Sequence, residues 1–468
     1  MASDPIKFGT DGWRAIIGDT YTVENLRRVA VATAHWLKQT HSQPAAVVGH
    51  DTRFGGRLFA ETAARVLARE GVTVHLAHGF VSTPMVSLGT QQLGAQGGVV
   101  ITASHNPPAY NGFKLKASYG GPALPEMVDE VEKRLPEADT EALPELSELV
   151  QQGKVVYQNL EQRYLDHAEA QFDLDAIRRS ELRLAYDAMY GAGQRALRRL
   201  LPDSVLLHAE ENPGFHGVPP EPILKNLQEL AGLVRARFDL VAGLATDGDA
   251  DRIGLLDVSG RFVDSHHILL LLVHYLYHYK GLRGKVVNSF SCTSRIDDMC
   301  RQLGLEQTIT KIGFKYICGH MINEDVLVGG EESGGIAVKT HVPERDGLWI
   351  GLTIMEFMAS QNKTLAQLID EVYEQVGPFA MERYDLHITE ELKQKVMRQC
   401  QNGGFTHFGD YTVGEVESVD GFKYHLGQGR WVMIRPSGTE PVLRLYGQAD
   451  SHHKVLELLE QAKAEILG

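Results

Sequence analysis

The stretch AAVVGHDTRFGGRLFAETAARVLAREGVTVHL, Ala45–Leu76, decides the fold class. It opens on a short apolar run, Ala45 to Val48, and passes through a polar loop containing glycine. An amphipathic helix from about Arg57 to Arg69 follows, and a second β-rich run, Val72 to Leu76, closes it. Short strands alternating with amphipathic helices are the signature of an α/β fold. The same plan, an apolar strand running into a polar Gly- or Ser-containing loop before a helix, recurs at LRLAYDAMYGAG from Leu182 and at GKVVNSFSCTS from Gly284. The chain therefore reads as three related α/β units.

Two changes of texture divide the rest. Pro136 to Gly153 is rich in Glu, Ala and Leu, has little β character, and reads as a helical connection at a first boundary. After Val376, the Gly377-Pro378 step introduces a helix from Glu390 to Cys400, strands around Trp431–Ile434 and Leu443–Tyr446, and a closing helix from His453 to Ile466. A separate α+β domain of under about 100 residues is the natural reading. The expected architecture is three mixed-sheet α/β domains, 1–155, 156–260 and 261–377, plus a smaller C-terminal α+β domain, 378–468.

With 468 residues and 43% hydrophobic content the chain can bury several cores. Its formal charge of -14 argues against a broad nucleic-acid or anionic-membrane surface, so an anionic ligand must meet a local cationic pocket. Cys292, Cys300, Cys318 and Cys400 form no C-x-x-C pair, which disfavours a zinc site and a disulfide framework. Met1–Thr10 has neither a basic flank nor an apolar run, and the run Ile268–Tyr277 is short and interrupted by His274. A soluble, unexported, cytoplasmic protein is expected, with monomer and dimer both open; His266 and His267 read as a polar helix start.

Four loops carry chemistry. In GGVVITASHNPPAYNGFKLK, Gly97–Lys116, an apolar strand runs into Ser104, and Asn106, Pro107 and Pro108 stop the strand. The backbone is expected to present the Ser104 hydroxyl on an exposed turn beside His105, with Lys114 nearby to hold a phosphoserine. In FDLVAGLATDGDADRIGLLD, from Phe238, Asp247, Asp249 and Asp251 alternate at a strand end, so three carboxylates can converge on one cation. Oxygen ligands in that number suit Mg²⁺, with room for a phosphate oxygen. An EF-hand fails, since Arg252 stands where that loop needs Gly and Val258 where it needs Glu.

The third loop, LVGGEESGGIAVKTHVPERDG from Leu327 to Gly347, ends a strand in Glu331, Glu332 and Ser333 between glycines. One carboxylate and one hydroxyl there can bind neighbouring sugar hydroxyls, although a glycine-rich hairpin is the commoner meaning of such a string. The fourth, WVMIRPSGTEPVLRLYG from Trp431 to Gly447, stops a strand at Arg435-Pro436-Ser437-Gly438-Thr439. A guanidinium, two hydroxyls and freed backbone N–H groups make a phosphate cradle.

These four loops in this order, with the opening KFGTDGWRA at Lys7–Ala15, resemble the α-D-phosphohexomutase superfamily over essentially the whole chain. The resemblance implies four domains around one central active-site cleft, each contributing a loop. It makes Ser104 the phosphorylated serine, which joins Asp247, Asp249 and Asp251 at the metal. It makes Glu331 and Ser333 the sugar-recognition pair, and Arg435, Ser437, Gly438 and Thr439 the phosphate-binding loop. Arg14, His105, Lys114 and Arg252 fall on positions lining the site, with His105, Lys114 and Arg252 expected as catalytic and Arg14 and Arg345 as substrate-binding. The implied activity is interconversion of hexose 1- and 6-phosphates, of phosphoglucomutase type, with Mg²⁺ and a hexose 1,6-bisphosphate as activator or donor. A bisphosphate synthase on the same scaffold, and mannose, glucosamine or pentose phosphate substrates, stay open; the intact Ser104, aspartates and phosphate loop argue against a non-catalytic phosphosugar-binding protein.

Three positions depart from the pattern. Some relatives carry a histidine where this chain has Gly335 and another where it has Phe314, and Arg345 replaces the lysine of glucose-type E-K-D-G strings. An arginine stays protonated and makes a poor base, so Lys114 and His105, with Lys315 behind them, become the expected proton carriers.

Overall fold

The structure, a computed structural model, describes residues 6–9, 11–180, 182–437 and 441–468. The chain forms two compact units, Met1–Lys285 with Gly313–Leu368, and Val286–Ile312 with Ile369–Gly468.

The first unit begins with a mixed sheet. Its strands are β1 (Trp13–Ile16), β2 (Ala45–His50), β3 (Thr73–Ala77), β4 (Gly97–Ile101), β5 (Tyr110–Ala117), β6 (Gly121–Pro122) and β7 (Val155–Gln158). They run in the order β1-β5-β4-β2-β3-β7, with β6 on β5. β2 pairs in parallel with β3 and β4, while β5 is antiparallel to β4 and β1. Helix Gly56–Arg69 buries Phe59, Ala60, Ala63, Val66 and Leu67, the three-and-four spacing that makes one apolar stripe. It shares a core with Leu26, Val29 and Ala30 of helix Val23–Thr40 and with Val48, Val99 and Ile101 of the sheet. Burying each large apolar side chain contributes roughly 1.5–3 kcal/mol, so this packing fixes where β2 and β4 end.

A second sheet repeats the plan with β8 (Leu184–Asp187), β9 (Val205–Leu207), β10 (Ala242–Thr246), β11 (Ile253–Asp257) and β12 (Phe262–Val263), in the order β12-β11-β10-β8-β9. β8 pairs in parallel with β9 and β10, and β11 folds back antiparallel on β10. The third quoted repeat is also a strand, Lys285–Ser289, parallel to Gln307–Thr310. Strands Val326–Gly330 and Ile336–Val338 form an antiparallel hairpin. The loops bearing Ser104, Asp247 and Glu331 thus follow corresponding strands, β4, β10 and Val326–Gly330, each of which pairs antiparallel with the strand after its loop. This correspondence is the physical content of the internal repeat.

In the second unit, strands Ala380–His387, Val442–Ala449, Trp431–Pro436, Phe422–His425 and Val416–Glu417 make an antiparallel sheet in that spatial order. Val396 and Cys400 of helix Glu390–Gln401 and Val455, Leu458 and Leu459 of helix His452–Leu467 share its core with Val432 and Leu443. The fold is therefore mixed α/β with a smaller α+β C-terminal part, as expected.

One segment differs from expectation. Of Pro136–Gly153, only Leu146–Gln151 is helical. Pro136 and Pro144 disfavour helix at the residues before them, and the irregular part is pinned by arginines of the neighbouring helices. Arg27 and Arg69 reach Asp139 at 3.0 and 3.1 Å, and Arg65 donates to the Pro144 carbonyl at 2.7 Å. Among the described residues no helix is long and apolar enough to cross a membrane.

Candidate active site

Ser104 follows β4 in the left-handed region, with φ 53, where a side chain strains the backbone by about 1–3 kcal/mol. Arg53, from the loop after β2, braces that conformation. Its guanidinium donates to the carbonyls of Ser104 and Asn106 through Nη2 and of Pro107 and Tyr110 through Nη1. Asp51 anchors the brace: its carboxylate lies 3.4 Å from Arg53 Nε and accepts Thr102 Oγ1 at 2.6 Å, and Thr102 Oγ1 in turn accepts the Ser104 N–H at 2.8 Å. Burial raises the Asp51 carboxyl to about 6 against the pull of Arg53. Ser104 is 1% exposed. The exposed turn expected from the sequence is thus a covered one, because the loop Asp247–Asp251 closes over it: a Cβ on Gly248 would lie 2.6 Å from the Ser104 carbonyl oxygen.

Ser104 Oγ donates to Asp247 Oδ2 at 2.7 Å and lies 3.3 Å from His105 Nδ1. Asp247, Asp249 and Asp251 are fully buried, and each offers an oxygen within 4.8 Å of the others. They converge through a turn with Ala250 at φ 57, not through the strand alternation the sequence suggested, since β10 ends at Thr246. The donor set fits a hard divalent cation: Asp249 Oδ1 and Asp251 Oδ1 are buried without a hydrogen-bond partner, and burial with its two neighbours' charges drives Asp247 well above the usual carboxylate range. A bound cation would relieve both penalties.

Lys114, on β5, is fully buried and places Nζ 2.7 Å from Asp249 Oδ2, 2.7 Å from Asp251 Oδ2 and 2.8 Å from Asp11 Oδ2. Burial opposes its charge, but Asp11, Asp249 and Asp251 outweigh burial and raise its pKa, so it is held as an ammonium. His105 goes the other way: burial, then Arg252 and Arg14, hold its imidazole neutral. Arg252 donates its backbone N–H to Asp247 Oδ1 at 3.0 Å, and Arg14 reaches Asn106 Oδ1 at 2.7 Å.

The third loop is a hairpin turn, as its glycines suggest, and Glu331 is buried in it. Glu331 Oε1 accepts the Gly313 N–H at 2.9 Å, and burial, tempered by Arg345, raises its carboxyl to about 7. Ser333 is half-buried two residues on, and Lys315 lies in the first turn of helix Phe314–Asn323. Arg345 ion-pairs with Asp251 at 2.7 Å and with Asp11. The next residue, Asp346, caps helix Gly347–Gln361 at Trp349 N and accepts the Tyr164 hydroxyl at 2.8 Å, which fixes the turn that carries Arg345.

Ser104, His105, Lys114, Arg252, Arg14, Glu331, Ser333, Arg345 and the three aspartates all belong to the first unit. Arg435 and Ser437 belong to the second: Arg435 pairs with Asp420 at 3.2 Å, and Ser437 is buried at the end of strand Trp431–Pro436. Gly438 and Thr439 lie outside the described residues.

Comparison with known proteins places this geometry. Residues 5–142, 162–260 and 264–376 match "Phosphoglucomutase/phosphomannomutase, alpha/beta/alpha" domains I, II and III, and residues 391–465 match the C-terminal domain of the same family. The chain is 30% identical, over 97% of its length and 96% of the relative's, to the "Phosphoglucomutase/phosphomannomutase" of Thermococcus kodakarensis. It belongs to the phosphoglucomutase/phosphomannomutase family. It is equally 30% identical, over 97% and 96% of the two chains, to the "Probable phosphoglucosamine mutase" of Pyrococcus furiosus. A solved "putative phosphomannomutase" of Thermus thermophilus superposes with TM-score 0.87 at 34% identity, covering 100% of both chains. This member of the family is therefore an enzyme, an isomerase-type phosphotransferase.

Four site residues escaped the sequence reading. Asp11 stands in the opening string KFGTDGWRA, in which only Arg14 was singled out, and Asp51 and Arg53 stand in a loop read only as a repeat element. Thr83, which donates its N–H to the Asp249 carbonyl at 2.9 Å and its hydroxyl to Asp249 Oδ2, had no motif around it.

Proposed function

We propose that this phosphohexomutase interconverts hexose 1-phosphate and hexose 6-phosphate, of phosphoglucomutase type, through phospho-Ser104 and a bisphosphorylated sugar. The observation that carries the reading is the Ser104 hydroxyl, held 2.7 Å from Asp247 within the buried acidic triad. In the first half-reaction the free sugar hydroxyl oxygen bonds to phosphorus as the P–Oγ bond of phospho-Ser104 breaks, and the hydroxyl proton passes to a base. In the second, Ser104 Oγ bonds to the phosphorus of the other phosphate as that phosphate's bond to the sugar oxygen breaks; the serine loses its proton to the base, the departing sugar oxygen takes one up, and the phosphoenzyme is regenerated.

His105, neutral and 3.3 Å from Ser104 Oγ, stands beside the leaving oxygen, where its ring nitrogen can hydrogen-bond Oγ as the P–Oγ bond breaks. Lys114, fixed as an ammonium, serves better as a charge that stabilises the transferring group, together with Arg252 and Arg14. Asp247, Asp249 and Asp251, with a phosphate oxygen on Ser104, would hold Mg²⁺, which supplies further charge stabilisation when bound. Glu331 and Ser333 are assigned to the sugar hydroxyls, and Arg435, Ser437, Gly438 and Thr439 to the phosphate that does not react. Hexose 1,6-bisphosphate would prime the serine.

The test is conversion of 1-phosphate to 6-phosphate across glucose, mannose, glucosamine and pentose phosphates, with and without added bisphosphate, for the native enzyme and Ser104→Ala. Catalytic isomerisation of a hexose phosphate by the native enzyme alone supports the mutase. Stoichiometric accumulation of bisphosphate from a separate donor would reassign the chain as a bisphosphate synthase.

A further inference from the structure

Each of the two orphaned triad oxygens belongs to a carboxylate whose other oxygen is fully engaged. Asp249 Oδ2 accepts Thr83 Oγ1 and Lys114 Nζ, and Asp251 Oδ2 accepts Lys114 Nζ and ion-pairs with Arg345 Nη2. Both carboxylates are therefore pinned along one edge, with Oδ1 left over on each. The two cations doing the pinning share one further acceptor: Asp11 Oδ2 lies 2.8 Å from Lys114 Nζ and also takes Arg345 Nη2. The Asp11 side chain is 11% exposed, and Arg14 and Lys116 stand 3.9 Å from it. Its carboxyl is held well below the usual range: burial alone would raise it, but Lys114, Arg345, Lys116 and Arg14 outweigh burial.

From this we infer that Asp11 is a positioning residue for the metal site, acting through Lys114 and Arg345. The inference rests on the metal reading above. A site that holds a divalent cation beside an ammonium and a guanidinium needs a counter-charge on their far side. Otherwise both cations repel the incoming metal and bear wholly on the carboxylates it needs. Asp11 is that counter-charge, and it keeps the two cations on the Oδ2 edge so that Oδ1 of Asp249 and Asp251 stays available. Groups that orient metal ligands from behind typically change metal affinity about 10–100-fold when altered.

The test is Mn²⁺ titration of the sugar-free enzyme, followed by electron paramagnetic resonance, with a melting curve for every variant. Asp11→Asn, close in size but uncharged, is expected to weaken Mn²⁺ about tenfold or more, and Asp11→Glu, which restores the charge, to recover most of that loss. Affinity of Asp11→Asn within about twofold of the native enzyme, or equal losses in Asn and Glu variants, overturns the inference. If Asp11→Asn does not fold, Asp11→Glu decides: retained Mn²⁺ affinity supports the role, and a loss as deep as that of Asp251→Asn refutes it. Asp249→Asn separates this inference from its premise. If that variant binds Mn²⁺ as well as the native enzyme does, the metal reading itself has failed.

Discussion

The stem of Arg345 occupies the space that a side chain at position 335 would need: a Cβ on Gly335 would lie 2.4 Å from Arg345 Cδ. The same guanidinium sits over the Phe314 ring, 5.4 Å from its centroid. The three departures noted in the sequence, Gly335, Phe314 and Arg345, are therefore one packed set. All three gather around a cation whose head is fixed by Asp11 and Asp251.

Gly335→Ala should accordingly destabilise the enzyme by roughly 1–3 kcal/mol, because the head of Arg345 cannot follow a displaced stem. In the Arg345→Ala background the same change should cost far less. A double-mutant cycle on thermal unfolding measures the coupling, and strict additivity would show that the two positions do not share the space.

Arg53→Lys keeps a charge beside Asp51 but loses the fork that spans four carbonyls of the Ser104 loop. We expect kcat/KM to fall on the order of 10²-fold through misplacement of the hydroxyl, with Mn²⁺ affinity little changed. Steady-state kinetics and the rate of phosphorylation by hexose 1,6-bisphosphate check this. Native rates would mean that the strained serine needs no brace.

Glu331 gives a pH test. Its carboxyl is raised to about 7 from an unfolded value near 4.5, so the folded state binds that proton more tightly. The stability this contributes is fully present below pH 4.5 and is lost as pH rises through about 7, a loss of up to about 3 kcal/mol. Glu331→Gln, whose amide oxygen can still accept the Gly313 N–H, should therefore melt higher than the native enzyme at pH 8 and lose this advantage near pH 4.5. If the carboxylate is the hydroxyl acceptor, the same variant should also lose activity above pH 7 and flatten the acidic limb of the native kcat/KM profile near that value. An unchanged profile would remove Glu331 from substrate recognition.

The fold was legible because its signal is local. Each repeat carries its own strand, loop and helix pattern, and the three loops after β4, β10 and Val326–Gly330 inherit corresponding positions from that repetition. Ser104 and the aspartates were legible because reactive side chains crowd at strand ends. The sequence did not reveal what holds them. Asp11 meets Lys114 and Arg345 across more than a hundred residues of chain in each case, and Arg53 reaches the Ser104 loop from the neighbouring parallel strand. Such contacts leave no periodicity to read. The strap before Leu146 departs from expectation for the opposite reason: its composition favours helix, but two prolines and three arginines decide its path.

The proposed mechanism requires Ser104 to take up and give back a phosphoryl group during turnover. Intact-mass spectrometry of the enzyme mixed with hexose 1,6-bisphosphate and Mg²⁺ measures it directly. The expected spectrum shows the mass of one added phosphoryl group, mapped to Ser104, absent from Ser104→Ala, and removed on addition of excess hexose monophosphate. An enzyme that isomerises hexose phosphate at full rate while Ser104 stays unmodified would contradict it.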